Sequence, residues 1–279
     1  MRRDGHRFSL LLVLWILHSG SMAGELVMAR DTAAVASASA QGTAPENNAT
    51  PVASSASRES PASRENAPPA NPVTSYGYRV ASKVRFDREN FTQGLEIYKG
   101  RLYVSSGLYG RSMVRVYEFP SLELIQTVPV DPRIFAEGLT IIDNRLVLLS
   151  WRERVMLVYA LPEMTLIGQS ALPGQGWGAT HVGSVMWFSD GSDRLFSADP
   201  TGDGELTSLP VTLNDQPLRN LNELEWVDGE IWANLWQTDQ IARIDPQSGR
   251  VLGLIDLTGL LPQEDRLRGT DVLLSLIHI

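Results

Sequence analysis

The chain has 279 residues, no cysteine, a formal net charge of −8 and a pI near 5.1. The lack of cysteine excludes disulfides and thiolate metal ligands. The acidic balance argues against nucleic-acid binding, because that activity requires a basic surface.

Residues 1–29 are interpreted as an export signal peptide. Arg2, Arg3 and Arg7 give a basic start, and residues 8–17 (FSLLLVLWIL) form an apolar run too short to span a bilayer comfortably. Small residues near positions 23 and 29 offer a cleavage site. We therefore expect an exported protein, periplasmic or secreted. The alternative is an uncleaved signal that tethers the protein to the membrane.

Residues 30–75 are predicted to be a disordered linker. They consist mainly of Ala, Ser, Pro, Thr, Asn and Glu, with almost no large apolar side chains. Such a segment buries too little apolar surface to offset the entropy of ordering it. The folded domain is therefore expected over residues 76–279, which is long enough for one domain with a sizeable core.

From about residue 91 to 250 the chain repeats one unit four times. Each unit has a turn motif, short strands joined by a hairpin, and a closing proline. The motifs cover residues 91–95 (FTQGL), 135–140 (FAEGLT), 176–180 (GWGAT) and 221–225 (LNELE). The closing prolines Pro120, Pro162, Pro200 and Pro246 lie 42, 38 and 46 residues apart. A period near 40 built from short strands predicts an all-β protein, a β-propeller.

Alternating apolar and polar residues predict the strands of each unit. The second strands are expected at residues 101–105, 145–149, 184–188 and 230–234, and the third strands at 113–117, 155–159, 194–198 and 240–244. Lys99-Gly100, Asp143-Asn144 and Asp228-Gly229 are expected to form hairpin turns. Residues 251–256 (VLGLID) are interpreted as the start of a further unit without its hairpin.

Equivalent positions of the four units are expected to meet at one end of the propeller axis. Gln93, Glu137, Trp177 and Asn222 occupy these positions. Glu137 is the candidate acid–base group, because partial burial raises the pKa of a carboxyl group towards neutrality, where it can take and return a proton. The alternative for Glu137 is a structural role, hydrogen bonding to amides at the blade end.

Tryptophans and the single histidine of the repeats give two further expectations. Trp151 and Trp236 each end a strand segment (LLSW, ANLW), and with Trp177 they either ring an aromatic pocket or pack between blades. His181 is expected in a solvated turn. With no cysteine and one histidine in the repeats, a zinc site is not expected.

Nine motifs in register resemble the plant- and bacterial-type glutaminyl-peptide cyclotransferases over residues 78–273. They are FTQGL, LYVSSGLYG, FAEGLT, LLSW, GWGAT, FSDGS, LNELE, ANLWQTDQIARIDP and VLGLIDLTGL. The resemblance implies a five-bladed β-propeller enzyme, without metal or other cofactor, that converts the N-terminal glutamine of peptides into pyroglutamate and releases ammonia. It implies Glu137 as the catalytic residue and the following substrate-binding residues: Gln93, Asn222, Trp151, Trp177, Trp236, Phe91 and Phe135.

Two departures and two rival functions accompany the resemblance. Gln175 stands where the family usually has Glu, and the residues after 273 (LSLIHI) lack the family's final strand pair and its active-site Lys. We therefore expect the last blade to be incomplete.

The rival functions are a non-catalytic propeller that binds peptide or glycan at the same mouth, and a structural module of the cell envelope. The protein is expected to be a monomer.

Overall fold

The computed structural model describes the backbone of residues 10–17, 24–32, 73–87, 89–200, 205–260 and 270–278, and the side chains of residues 73–87, 89–200 and 205–260. Every regular element in these ranges is a β-strand. No helix in the described part of the chain is long and apolar enough to cross a membrane. Of the predicted linker, residues 33–72 lie outside the described residues, whereas residues 30–32 and 74–75 belong to strands, so the prediction of disorder is wrong at both ends of the segment.

Three strands precede the repeats: β1 (Leu10–Leu17), β2 (Gly24–Thr32) and β3 (Thr74–Phe86). Four antiparallel blades of four strands follow, one for each repeat; the first three are separate sheets, and the fourth is part of an eight-stranded sheet. The first blade contains β4 (Thr92–Tyr98), β5 (Arg101–Ser106), β6 (Met113–Glu118) and β7 (Leu124–Pro129). The second contains β8 (Ala136–Ile142), β9 (Arg145–Ser150), β10 (Val155–Ala160) and β11 (Thr165–Ala171).

The third blade contains β12 (Ala179–Val182), β13 (Val185–Ser189), β14 (Arg194–Ala198) and β15 (Thr207–Pro210). A small hairpin of β16 (Thr212–Leu213) and β17 (Gln216–Pro217) follows it. The fourth blade contains β18 (Leu221–Val227), β19 (Glu230–Leu235), β20 (Gln240–Ile244) and β21 (Val251–Asp256). The first strands of neighbouring blades contact one another around a common axis. The fold is therefore all-β and propeller-like.

The predicted second and third strands are confirmed, and so are the hairpin turns. Lys99, Asp143 and Asp228 have φ of 49°, 49° and 47°, and the residue after each also has a positive φ. The prediction for residues 251–256 is wrong, because this segment is the outer strand of the fourth blade and pairs with β20, Gln240 opposite Asp256. Each repeat thus extends past its closing proline by a fourth strand that the strand patterns did not predict.

A last strand, β22 (Thr270–His278), follows the fourth blade. β3 pairs in parallel with β21, and β2, β1 and β22 continue the sheet by antiparallel pairing. β22 also contacts β4 and β18, the first strands of the first and fourth blades. β1 and β2 therefore bring part of the segment predicted as an export signal into this sheet, and export stays a prediction.

The core lies between the blades, where the apolar faces of adjacent sheets meet. Leu139 and Leu148 of the second blade pack with Val116 of the first, in a cluster of fully buried side chains. Met186 and Phe188 of the third blade pack against the opposite face of the second blade. Full burial of one such side chain contributes about 1.5–3 kcal/mol. This packing fixes the first strands, which carry the candidate site.

Candidate functional site

The four equivalent residues predicted from the repeats lie at the end of the axis where the first strands begin. We call this end the mouth and define it by Gln93, Glu137, Trp177 and Asn222. Gln93, Glu137 and Asn222 lie near the beginnings of β4, β8 and β18, whereas Trp177 precedes β12 by two residues. The sequence motifs had predicted turns at all four residues. This prediction is wrong for Gln93, Glu137 and Asn222, which lie in strands. The prediction that these positions meet at one end is consistent with this arrangement.

Backbone contacts between blades hold the mouth together. The Ser105 hydroxyl donates to the Glu137 carbonyl oxygen at 2.5 Å, and the Gly138 amide donates to the Trp177 carbonyl oxygen at 2.6 Å. A Cβ on Gly138 would lie 2.8 Å from the Ala179 nitrogen, so only glycine permits this approach. The glycine after Glu137 therefore lets two blades meet at the mouth.

Glu137 has a carboxyl group whose protonation is strongly perturbed. The residue is only 8% exposed. Burial, and secondarily repulsion from Glu153, raise the pKa of Glu137 well above its usual value. A carboxyl group in this condition holds a proton more readily than an exposed one, which suits it to proton transfer.

Aromatic side chains surround one side of the mouth. The Phe135 ring contacts three others edge-on, with centroids 6.1 Å from Phe91, 5.5 Å from Tyr109 and 5.5 Å from Trp151. Phe135 lies two residues before Glu137, so this cluster adjoins the buried carboxyl. The Arg152 guanidinium lies 4.0 Å from the centroid of the Trp151 ring. Such a group excludes water and offers flat apolar surfaces to a ligand.

Trp177 and Trp236 form a second aromatic pair, from the third and fourth blades. Their ring centroids lie 5.5 Å apart with an interplanar angle of 75°. The Trp177 indole N–H donates to Gln175 Oε1 at 2.9 Å, which orients the ring. Its edge rests on Gly191, where an added Cβ would meet the ring at 2.5 Å. Trp236 directly follows β19, as Trp151 follows β9, so both end second strands.

The remaining tryptophans of the described side chains lie in the core or pack against it. Trp187 and Trp226 pack against the buried cluster between the third and fourth blades, and Trp232 is buried against β3 and the end of β21. They offer matched comparisons for the mouth tryptophans.

His181 departs from its predicted position in a solvated turn. It is the third residue of β12, is half-buried, and its Nδ1 lies 2.8 Å from Thr140 Oγ1. Thr140 also donates to Glu96 Oε2 at 3.4 Å. Burial lowers the pKa of His181 and raises the pKa of Glu96 to about 8. These first-strand residues lie further along the axis than the mouth, because each follows a mouth residue by three or four positions.

The sequence analysis missed two residues near the mouth, Tyr109 and Glu153. Glu153 accepts hydrogen bonds from the Tyr109 hydroxyl at 2.8 Å and from the Phe135 backbone N–H at 3.1 Å. Neither residue occupies a position shared by the four repeats. The available signal was a carboxylate two residues after the strand-ending Trp151.

Among the described residues, no group of three or more His, Cys, Asp or Glu side chains is arranged to hold a metal ion.

A family model, a relative in sequence and a solved structure point to the same family. A family model described as glutamine cyclotransferase matches residues 51–277. A glutaminyl-peptide cyclotransferase from Arabidopsis thaliana is 36% identical over 201 residues, which cover 70% of this chain and 62% of that protein's length. The crystal structure of Myxococcus xanthus glutaminyl cyclase is 28% identical, with a TM-score of 0.66, over 74% of this chain and 88% of that one. A Bacteroides caccae protein of unknown function shares the fold at 12% identity, with a TM-score of 0.50.

Proposed function

The chain belongs to the glutamine cyclotransferase family, and on this basis we propose that it is a glutaminyl-peptide cyclotransferase. Its substrates would be peptides or proteins with an N-terminal glutamine, and its products pyroglutamyl peptides and ammonia. The similarity to the Arabidopsis and Myxococcus proteins supports the reaction. The observation that supports it most directly is the buried Glu137 carboxyl beside the aromatic mouth.

The reaction requires a proton to move between two nitrogens of the substrate. The α-amine nitrogen attacks the side-chain amide carbon, one C–N bond forms, and the bond to the leaving nitrogen breaks. The attacking nitrogen loses a proton and the leaving nitrogen gains one, so that ammonia departs. Glu137 would accept the first proton and deliver it to the leaving group. Its raised pKa suits this role, because a carboxyl group with a raised pKa holds a proton more readily than an exposed carboxyl group and can still release it.

The other mouth residues would bind and orient the glutamine. Gln93 and Asn222 are buried side chains with both donor and acceptor atoms, which suits them to hold the side-chain amide and the backbone. The aromatic side chains would enclose the substrate glutamine in a ring-closing conformation. This lowers the activation barrier of cyclisation by orienting the reacting atoms and by excluding water. They are Phe91, Phe135, Trp151, Trp177 and Trp236.

A turnover assay tests this proposal against the peptide- or glycan-binding rival. The purified full chain is incubated with a peptide that begins with Gln, and ammonia and pyroglutamyl peptide are measured together. A matched peptide that begins with Asn is the control for nonspecific deamidation. Stoichiometric ammonia and pyroglutamate that depend on Glu137 support the enzyme. Binding of the peptide without turnover would favour the non-catalytic propeller.

We propose in addition that the propeller has five blades. In the third blade, the Ser189 hydroxyl donates to the Asn222 carbonyl oxygen of the fourth at 2.7 Å, as Ser105 does between the first and second blades. Asn234 occupies the equivalent position in the fourth blade and is 1% exposed, and neither of its side-chain polar atoms has a hydrogen-bond partner among the described side chains. By the same repeat, its partner would be the first strand of a fifth blade. The contacts of β22 with β4 and β18 support this position.

The cellular setting is also proposed from the sequence. Residues 1–29 would direct export, and the predicted linker over residues 30–75, apart from the strand residues 30–32 and 74–75, would act as a flexible tether before the folded domain. The protein would then work outside the cytoplasm as a monomer without nucleic acid, acting on exported peptides. An intact-mass measurement of the protein recovered from the producing cells would show whether the signal is removed.

A further inference from the structure

Glu153 connects two blades at the edge of the mouth. It lies in the turn between β9 and β10, half-buried, two residues after Trp151. Its Oε1 accepts the Tyr109 hydroxyl hydrogen bond from the loop of the first blade, at 2.8 Å. Its Oε2 accepts the Phe135 backbone N–H of the second blade, at 3.1 Å. The carboxylate is therefore held by two donors from different blades.

These two bonds fix the segment that leads into the candidate catalytic residue. Phe135 precedes Glu137 by two residues, and the next amide along the chain, that of Ala136, donates to the Ser112 hydroxyl at 3.1 Å. The Phe135 ring also contacts the Tyr109 ring edge-on. A change at Glu153 would thus reach both the aromatic cluster and the backbone of the first strand.

Glu153 is also the charged neighbour that acts on Glu137. Among the described residues, the titratable groups that interact with Glu137 are Glu153, Glu223 and Tyr109. Glu223 and Tyr109 have raised pKa values, chiefly through burial, and so stay uncharged over a wider pH range. Repulsion from the Glu153 carboxylate therefore opposes ionisation of Glu137, in addition to the effect of burial.

We propose that Glu153 is a positioning residue for Glu137, acting through its hydrogen bonds to Tyr109 and Phe135 and through its negative charge. This rests on the proposed cyclotransferase activity. Glu153 acts in two ways, through its charge and through its hydrogen bonds, and different substitutions remove each of them. Glu153→Gln removes the charge and keeps both contacts, because the amide oxygen accepts from Phe135 and the Tyr109 hydroxyl accepts from the amide N–H. Tyr109→Phe removes one hydrogen bond and keeps the charge.

The test compares the pH dependence of kcat/KM in the full chain for the wild type and three variants. Without the charge of Glu153, the pKa of Glu137 falls, so ionised Glu137 forms at lower pH. We expect the acidic limb of the kcat/KM profile to move to lower pH in the Glu153→Gln variant. In the Tyr109→Phe variant this limb should stay in place, while KM rises. Glu163→Gln, an exposed Glu far from the mouth, is the matched control and should leave both unchanged.

The outcomes separate this inference from the proposed function. An unmoved acidic limb in a folded, active Glu153→Gln variant overturns the inference and leaves the cyclotransferase intact. If the wild type shows no turnover, the proposed function fails, and carbon NMR titration of the Glu137 carboxyl in the same variants still tests the coupling. Glu153→Ala is a second charge-free variant if Glu153→Gln does not fold. Equal titration of Glu137 in wild type and charge-free variants would then overturn the inference.

Discussion

Replacing Glu137 by Gln is the most informative single change, because it removes a proton-carrying group while it nearly preserves the shape of the side chain. If the carboxyl carries the proton between the two substrate nitrogens, kcat should fall by about 10²–10⁴-fold, the usual contribution of general acid–base catalysis. This loss corresponds to about 3–5 kcal/mol of transition-state stabilisation. Because Gln93, Asn222 and the aromatic side chains remain, peptide affinity should change little.

The same substitution has an opposite effect on stability. The pKa of Glu137 is raised in the folded protein, so the folded state holds its proton in a pH range where the unfolded state has lost it. Stability from this group is therefore complete below the unfolded value of 4.5 and declines as the pH rises above it, by at most about 1.4 kcal/mol per pH unit. Glu137→Gln should remove that decline, and its melting temperature should gain on the wild type as the pH rises.

Two measurements check these expectations. Ammonia release under single-turnover conditions reports the chemical step, and thermal melts between pH 5 and pH 8, in steps of about one unit, report the linkage. Glu163→Gln, an exposed Glu→Gln change, is the control for both. A folded Glu137→Gln variant with near wild-type turnover would mean that Glu137 is structural. A melting difference that does not depend on pH would refute the burial reasoning.

Three further outcomes are expected. Trp177→Ala should raise KM more than Trp226→Ala. Trp226→Ala should instead cost at most about 3 kcal/mol of stability, because Trp226 is partly buried and packs against the core cluster of the third and fourth blades. Equal KM values in two folded variants would contradict the assignment. Asn234→Ala should destabilise the protein by about 1–3 kcal/mol. Asn234→Ser should retain most of the stability, because Ser105 and Ser189 are serines at the equivalent positions. An alanine variant with unchanged stability in denaturant titrations would contradict the fifth-blade contact. Turnover should survive dialysis against a chelator, since the chain has no cysteine and few histidines; loss of activity that zinc restores would show otherwise.

Much of the fold follows from local chemistry that is readable in the sequence. Runs rich in β-branched and aromatic residues identify β5 and β6 in the first repeat, because both faces of these strands are buried. Asp143 and Asn144 identify a hairpin, because these residues tolerate the positive φ that the turn requires. The outer strand β7 was missed because its side chains are largely exposed and carry little apolar pattern.

Identifying the candidate site required both kinds of information. The repeats alone determined that Gln93, Glu137, Trp177 and Asn222 are equivalent, since equivalence needs only the register of similar motifs. Only the tertiary structure decided that Tyr109 and Glu153, 44 residues apart, share a hydrogen bond beside Glu137, and that His181 is partly buried next to Thr140. Strand formation depends on neighbouring residues and therefore leaves a pattern in the sequence. Contacts between blades depend on how separate sheets pack around the axis, and no local pattern records that packing.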